Sequence, residues 1–329
     1  MTLRAGIIGA GKIAWRYDGG AWVKNKPAVT LASCLDRHPD TLLVAIHDPV
    51  DEARHHFDAN YLGPRPVEVY KKLDEFLDQK FDLVAIASPS KFHTSHIRAC
   101  MDASIPKLWI EKPVTLRLDE FDQLRKYHRS MPKPPKICVN FLRRGLPQLM
   151  YMKNHLEQGS ESAESLSISV AYSRRLDVNG VHLLDLLGAL TDATEVPTLD
   201  FLRIMDGVNP HFGLTLKGHP VTVTGHDLPY HLIEISITDQ RGRLSLVRGA
   251  QELIWEAVEP TPDYPGFYRL ARPVRVESFA GAESAFHEAT YQMLCSLVNE
   301  GEPSPSTLES AWFSQALMDR VQLACSECT

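Results

Sequence analysis

Apolar positions in the first 140 residues come in short, nearly unbroken runs separated by longer stretches of mixed character. "RAGIIGA", "LLVAIHD", "FDLVAIASPS", "PKLWIEKP" and "PKICVNF" are compact, rich in Ile, Val and Leu, and bounded by turn-forming residues. Between them, "PAVTLASCLDRH", "KKLDEFLDQ", "TSHIRACMDAS" and "RLDEFDQLRKYHRSM" carry helical spacing. Buried strands alternating with helices predict a parallel sheet covered on both faces, a doubly wound α/β domain over residues 1–140.

The pattern changes beyond residue 140. A helix, "LPQLMYMKNHLEQG", precedes "ESLSISVAYSR", whose period-two alternation suits a strand with one covered face. Residues 181–190 place Leu183, Leu186, Leu187 and Leu190 on one helical stripe. From 200 to 280 strand signals dominate, clearest in "HLIEISITDQRGRLSLVRGAQELIWEAV", a meander turning at Asp239–Gly242. Helices near 283–299 and 306–325 close the chain. Residues 141–329 therefore predict an α+β domain on a largely antiparallel open sheet.

Composition narrows the partners. The chain has 329 residues, 44% hydrophobic and 23% charged, with a formal net charge of -6. An acidic balance argues against nucleic acid or an anionic membrane surface as a partner. No apolar run approaches the roughly 18 residues of a membrane span, and "MTLRAGIIGAGK" makes a poor signal peptide. Of the cysteines at 34, 100, 138, 295, 325 and 328, only the terminal "CSEC" has ligand-like spacing. Without a second pair or a histidine it predicts no metal, and a reducing cytoplasm is the simplest setting.

"GIIGAGKIA" holds Gly9-Ala10-Gly11-Lys12-Ile13-Ala14, a G-x-G-x-x-G/A pattern behind an apolar strand. Gly9 would make the tight turn, Gly11 would admit a pyrophosphate, and Ala14 would keep helix and strand close, with the helix N-terminus supplying donors. The acid for an adenosine ribose belongs at the end of the second strand. Asp36 is nearer by count but lies in a helix end; Asp48 closes "LLVAIHD". An acid there, followed by Asp51 and Glu52, favours NAD over NADP. The extra length is an insertion, "WRYDGGAWVKNK", ahead of a helix starting near Pro27.

"LWI" ends in Glu111-Lys112-Pro113, and ligands of open α/β sheets sit at the carboxyl ends of strands. The nucleotide loop, "ASPSKFH" at 87–93, "EKP" at 111–113 and "GVHLLDLL" at 180–187 occur in that order. With this set the chain resembles the Gfo/Idh/MocA oxidoreductases, named for glucose–fructose oxidoreductase and inositol dehydrogenase, over essentially its whole length.

The resemblance implies roles by position. Lys112 would lie between nicotinamide and substrate, with Glu111 on the cofactor side. Ser88, Pro89 and His93 would run along the dinucleotide, as would Gly9, Gly11, Lys12, Ile13 and Asp48. Asn140 would lie near the nicotinamide, and Arg143 or Arg144 near the substrate. His182 would be the acid/base, with Asn179 and Asp185 beside the substrate. Many members carry Asp four residues before the histidine; here that position is Val178, leaving Asp177 or Asp185, or no acid, to orient it. "VNGVHLLDLL" is closer to members reading N-G-x-H-x-x-D, of surface-polysaccharide and amino-sugar pathways.

These features predict an NAD-dependent dehydrogenase or reductase acting on a sugar or nucleotide sugar, as a homo-oligomer through its second domain. Two other functions use the same parts: a hydrolase that retains NAD and cleaves by transient oxidation and elimination, and a non-catalytic dinucleotide sensor. Retention of both Lys112 and His182 weighs against a sensor.

Overall fold

The computed structural model describes residues 2–18, 28–160, 166–204, 208–276 and 282–327. Two compact units divide the chain, Met1–Gly145 with His287–Ala311, and Leu146–Phe286 with Trp312–Thr329. The boundary expected at residue 140 thus falls after Gly145, and a later stretch returns to the first unit. The reason is apolar: Met293, Leu294, Leu297 and Val298 are part of the same buried cluster as Ile7, Leu31, Leu43, Leu83 and Trp109.

In the first unit the strands are β1 (Leu3–Ile8), β2 (Thr41–His47), β3 (Glu68–Tyr70), β4 (Leu83–Ile86), β5 (Lys107–Ile110) and β6 (Lys136–Val139). They form one sheet in the order β3-β2-β1-β4-β5-β6, every pair parallel. The described helices are α1 (Leu31–Arg37), α2 (Asp51–Asn60), α3 (Leu73–Leu77), α4 (His93–Asp102) and α5 (Leu118–Ser130). The chain reverses its direction of travel across the sheet between β1 and β4, which opens a crevice at their carboxyl ends.

The insertion expected after the glycine loop is present, and the helix expected near Pro27 begins at Leu31. Residues 12–15 are a turn and Arg16–Asp18 a 3-10 turn, so no helix follows Gly11 directly. Yet Leu31 N donates to Ile13 O and Ala32 N to Ala14 O, the bonds that residues 17 and 18 would make in an uninterrupted helix. One helix has been opened after its first turn and resumed at α1. Asp18 closes the base of this excursion, accepting from Thr30 N at 2.9 Å, from Thr30 Oγ1 at 2.6 Å and from the Ser33 hydroxyl. The rest of the insertion, residues 19–27, lies outside the described residues.

The second unit begins with α6 (Pro147–Ser160) and β7 (Ser167–Ser173). A π-helical turn, Leu176–Gly180, then runs straight into α7 (Val181–Thr191). There follow β8 (Leu199–Ile204), β9 (Pro210–Leu216), β10 (His219–His226), β11 (Ile233–Asp239), β12 (Gly242–Val247), β13 (Glu252–Pro260), β14 (Tyr268–Leu270) and β15 (Val274–Arg275). α8 (Ala282–Val298) and α9 (Leu308–Glu327) end the chain. The sheet order is β14-β13-β12-β11-β7-β10-β9-β8, with β15 on β13. All pairs are antiparallel except β7 with β10, and β11 turns into β12 at Asp239–Gly242 as the pattern predicts. Ile168, Val170 and Tyr172 of β7 share its buried face. Among the described residues no helix is long and apolar enough to cross a membrane.

Candidate active site

The carboxyl ends of β1, β2 and β4 enclose a cleft of about 670 Å³ in the first unit. Gly9 sits at its floor with φ +103°, a conformation open to glycine and costly for other residues. A Cβ there would lie 2.6 Å from Ser88 N and 2.7 Å from Ala87 C, so the absence of a side chain lets the β4 end close onto the loop. Asp48 stands opposite. Its Oδ2 accepts from Ala10 N at 2.8 Å and its Oδ1 from Val50 N at 2.9 Å, which ties the end of β2 to the glycine loop and fixes the carboxylate. Asp36 lies elsewhere, on α1 against the Tyr61 hydroxyl, and burial pushes its carboxyl up to about 6.

Gly9, Gly11, Lys12, Asp48, Ser88 and Pro89 therefore share one cleft. Ile13 does not join them; its side chain packs against the unit's apolar core. His93 is buried behind the wall, both ring nitrogens on backbone carbonyls. Sequence reasoning missed His47, His96, Phe92, Lys71 and Arg16, all of which line the cleft. His96 lies 2.8 Å from Ser88 Oγ, and burial, reinforced by His47 and His93, pushes its imidazole down to about 4. The available signal was spacing: His96 is three residues beyond His93, in the first turn of α4. Asp51, expected to add negative charge, is instead paired with Arg54 and, at 3.3 Å, with Lys71. Among the described residues Asp48 is the acid that lines the cleft.

At the neighbouring end of β5, Glu111 and Asn140 form a buried pair rather than part of the cleft lining. Asn140 Nδ2 donates to Glu111 Oε1 at 2.5 Å, and Lys112 N to Glu111 Oε2 at 3.3 Å. Burial raises the Glu111 carboxyl above its ordinary range, against the lowering effect of Asn140 and Lys112. Asn140 Oδ1, also buried, has no hydrogen-bond partner among the described residues. Lys112 is half-buried at the strand end, and the Lys112–Pro113 peptide is cis. Of the two arginines that follow β6, Arg144 donates to Pro305 O and Ser310 O. Arg143 is buried in a 3-10 turn, where desolvation pushes its guanidinium down to about 10.

In the second unit, His182 occupies the first turn of α7 and Asp185 lies one turn further on, both buried. Asp177 pairs with Arg175, whose Nε and Nη2 reach its two oxygens at 2.9 and 2.6 Å. It lies five residues before the histidine, whereas Asp185 lies three after it on the same helix. Asn179 is buried and donates to Ser173 O at 3.0 Å, fastening the π-helical turn to the end of β7, with His231 Nδ1 at 3.2 Å from the same amide. Its amide is thus engaged within the chain. No group of three or more His, Cys, Asp or Glu side chains suited to a metal occurs among the described residues; Cys328 lies outside them.

Residues 3–134 match the family model GFO_IDH_MocA, an oxidoreductase family with an NAD-binding Rossmann fold. No curated protein matches the chain in sequence. Among solved structures, the WlbA dehydrogenase from Bordetella pertussis, in complex with NADH and UDP-GlcNAcA, superposes with a TM-score of 0.75 at 16% identity, over 100% of this chain and 96% of its own. A dehydrogenase from Clostridium difficile gives 0.71 at 15%, over 98% and 100%. A 3-ketoreductase from Actinomadura kijaniata, in complex with TDP-benzene and NADP, gives 0.65 at 19%, over 98% and 97%. At such identities the likeness establishes a common fold.

Proposed function

We propose, for a chain whose nucleotide-binding unit belongs to the Gfo/Idh/MocA oxidoreductases with their NAD-binding Rossmann fold, that the substrate is a sugar, and more narrowly a nucleotide-linked sugar. The observation that carries the cofactor half of this reading is the cleft at the β1/β4 crevice. Gly9 leaves room where a Cβ would collide, and Asp48 is held by two backbone N–H groups at the place of a ribose acid. The substrate half is supported by the neighbours solved with UDP-GlcNAcA and a TDP compound.

When bound, NAD supplies the hydride acceptor or donor. In this chain Lys112 would polarise the carbonyl oxygen as it forms, and His182 would hold and return the hydroxyl proton, its imidazole suited to transfer near neutrality. Arg143 or Arg144, which follow β6, would be the arginine for the substrate. The same resemblance carries a homo-oligomer built on the sheet of the second unit. A cytoplasmic setting agrees with five described cysteines that are free thiols.

The test is a panel of nucleotide sugars and free sugars followed by cofactor absorbance with NAD and NADH. Stoichiometric cofactor turnover that Lys112→Ala abolishes while NADH still binds is the expected result. Unchanged turnover in that variant refutes the assignment. Sugar released without net NADH identifies the retained-NAD hydrolase instead.

A further inference from the structure

His93 opens α4 with only 1% of its surface exposed. Its Nε2 lies 2.7 Å from Ser88 O and its Nδ1 2.8 Å from Pro113 O. Both partners are carbonyl oxygens, which only accept. A neutral imidazole has one N–H and one lone pair, so either tautomer would press a lone pair against a carbonyl; the imidazolium alone donates to both. Burial pushes the imidazole below its ordinary value and outweighs the lift from the two backbone hydrogen bonds. Against that stands the geometry, in which two carbonyls at 2.7 and 2.8 Å leave no neutral tautomer without a lone pair facing a lone pair. The ionisable groups that neighbouring elements bring to this end of α4 are Lys91 in the preceding 3-10 turn, His96 one turn on, Glu111 and Lys112 at the end of β5, and Glu120 of α5, which accepts the Thr94 hydroxyl. Strand β4 contributes none.

The two carbonyls belong to different loops of the site. Ser88 walls the dinucleotide cleft, with its hydroxyl at 2.8 Å from His96 Nδ1. Pro113 follows Lys112, whose own N–H is held by Glu111. The backbone of Lys112 is thereby fastened from both sides, and the far fastening is shared with the cofactor wall. We propose that His93 is a positioning residue that, as an imidazolium, clamps the Ser88 and Pro113 carbonyls together and so fixes Lys112 relative to the dinucleotide cleft. The functional half of this rests on the role of Lys112 proposed above; the clamp itself does not.

Nitrogen-15 spectra of the imidazoles test the charge state in the intact wild-type chain. His93, one of 14 histidines, is assigned through its bonds to the backbone. Two protonated ring nitrogens from pH 6 to about 8, past the ordinary histidine value of about 6.5, are expected. A lone-pair nitrogen on His93 at pH 7 overturns the proposal. His93→Gln can donate to one carbonyl while its amide oxygen meets the other, so NADH affinity should fall about tenfold, the worth of roughly one charge-assisted hydrogen bond. Turnover should fall with it at unchanged secondary structure. A folded His93→Gln with wild-type NADH affinity also overturns the clamp. If the variant does not fold, the wild-type spectrum still decides. Neither the spectrum nor NADH binding requires turnover, so failure of the Lys112 assignment in the sugar panel is a separate outcome.

Discussion

Asp48→Ser should move the cofactor preference from NADH toward NADPH. The wild-type carboxylate is aimed by Ala10 N at 2.8 Å and Val50 N at 2.9 Å, so little ordering remains to be done when a ribose arrives. A hydrogen bond to a charged group contributes about 1.5–3 kcal/mol. Because Asp48 is half-buried and serine keeps one hydroxyl, a loss of about 2 kcal/mol is reasonable, or roughly 30-fold in NADH affinity. For NADPH the balance runs the other way. Two unit charges about 4 Å apart repel by about 1 kcal/mol in water and about 4 kcal/mol near a protein surface. Removing that repulsion toward a phosphate of nearly two charges should gain about 2 kcal/mol, again roughly 30-fold. Lys71 lines the same cleft and pairs with Asp51 at 3.3 Å, so a cation is already at hand for the phosphate. The ratio of the two affinities should therefore change by about 100- to 1000-fold. Fluorescence titration with NADH and NADPH measures it without a known substrate. The NADPH gain should shrink in added salt, since it is electrostatic. A ratio that moves by less than about fivefold would show that Asp48 does not face the ribose.

Gly9→Ala places a methyl 2.6 Å from Ser88 N at a positive φ, with backbone on the far side that cannot swing away. It should cost about 3 kcal/mol or more, shared between stability and NADH binding; wild-type urea melts and titrations together would refute the close approach. Asp36→Asn should stabilise the protein at pH 7.5 and leave it unchanged at pH 3.5. Burial raises the folded-state carboxyl from 3.8 to about 6, so the folded chain holds that proton more tightly than the unfolded chain. The penalty is absent below 3.8, grows as pH rises toward about 6, and is constant above it. With solvent screening at a half-buried site the gain is about 1–2 kcal/mol, read from urea unfolding at the two pH values; a less stable variant at pH 7.5 refutes it. His182→Ala should lower turnover and flatten its dependence on pH near neutrality, and a wild-type profile in that variant removes His182 as acid/base.

The strands of the first unit were legible because a parallel strand buried on both faces has no polar alternation to blur its run. Their ends were legible too, and with them Gly9, Asp48, Ser88 and Lys112, since Gly, Asp, Ser-Pro and Lys-Pro punctuate the chain where it leaves the sheet. Elements with little buried surface were not. α2 reads "DEARHHFDAN" and buries only Phe57, and β3 is three residues long at a sheet edge, so neither leaves an apolar period to find. The interrupted helix was half visible. The insertion stood out as polar, glycine-rich sequence, but the bonds from Leu31 and Ala32 to Ile13 and Ala14 join residues far apart in the chain and leave no periodic trace.

Polar bracing escaped for a deeper reason. The chemistry of a histidine is set by what its two nitrogens meet, and a single sequence shows only its neighbours along the chain. "SPSKFHTSH" holds two histidines three apart in different surroundings: His96 lines the cleft beside the Ser88 hydroxyl, while His93 is buried between two backbone carbonyls. Arg143 and Arg144 are likewise adjacent residues of one type in different surroundings, the first buried in its turn and the second donating to the Pro305 and Ser310 carbonyls. Spacing locates such residues to within a turn. Choosing between them takes the partners, because a donor already spent on a backbone carbonyl is not available to a ligand.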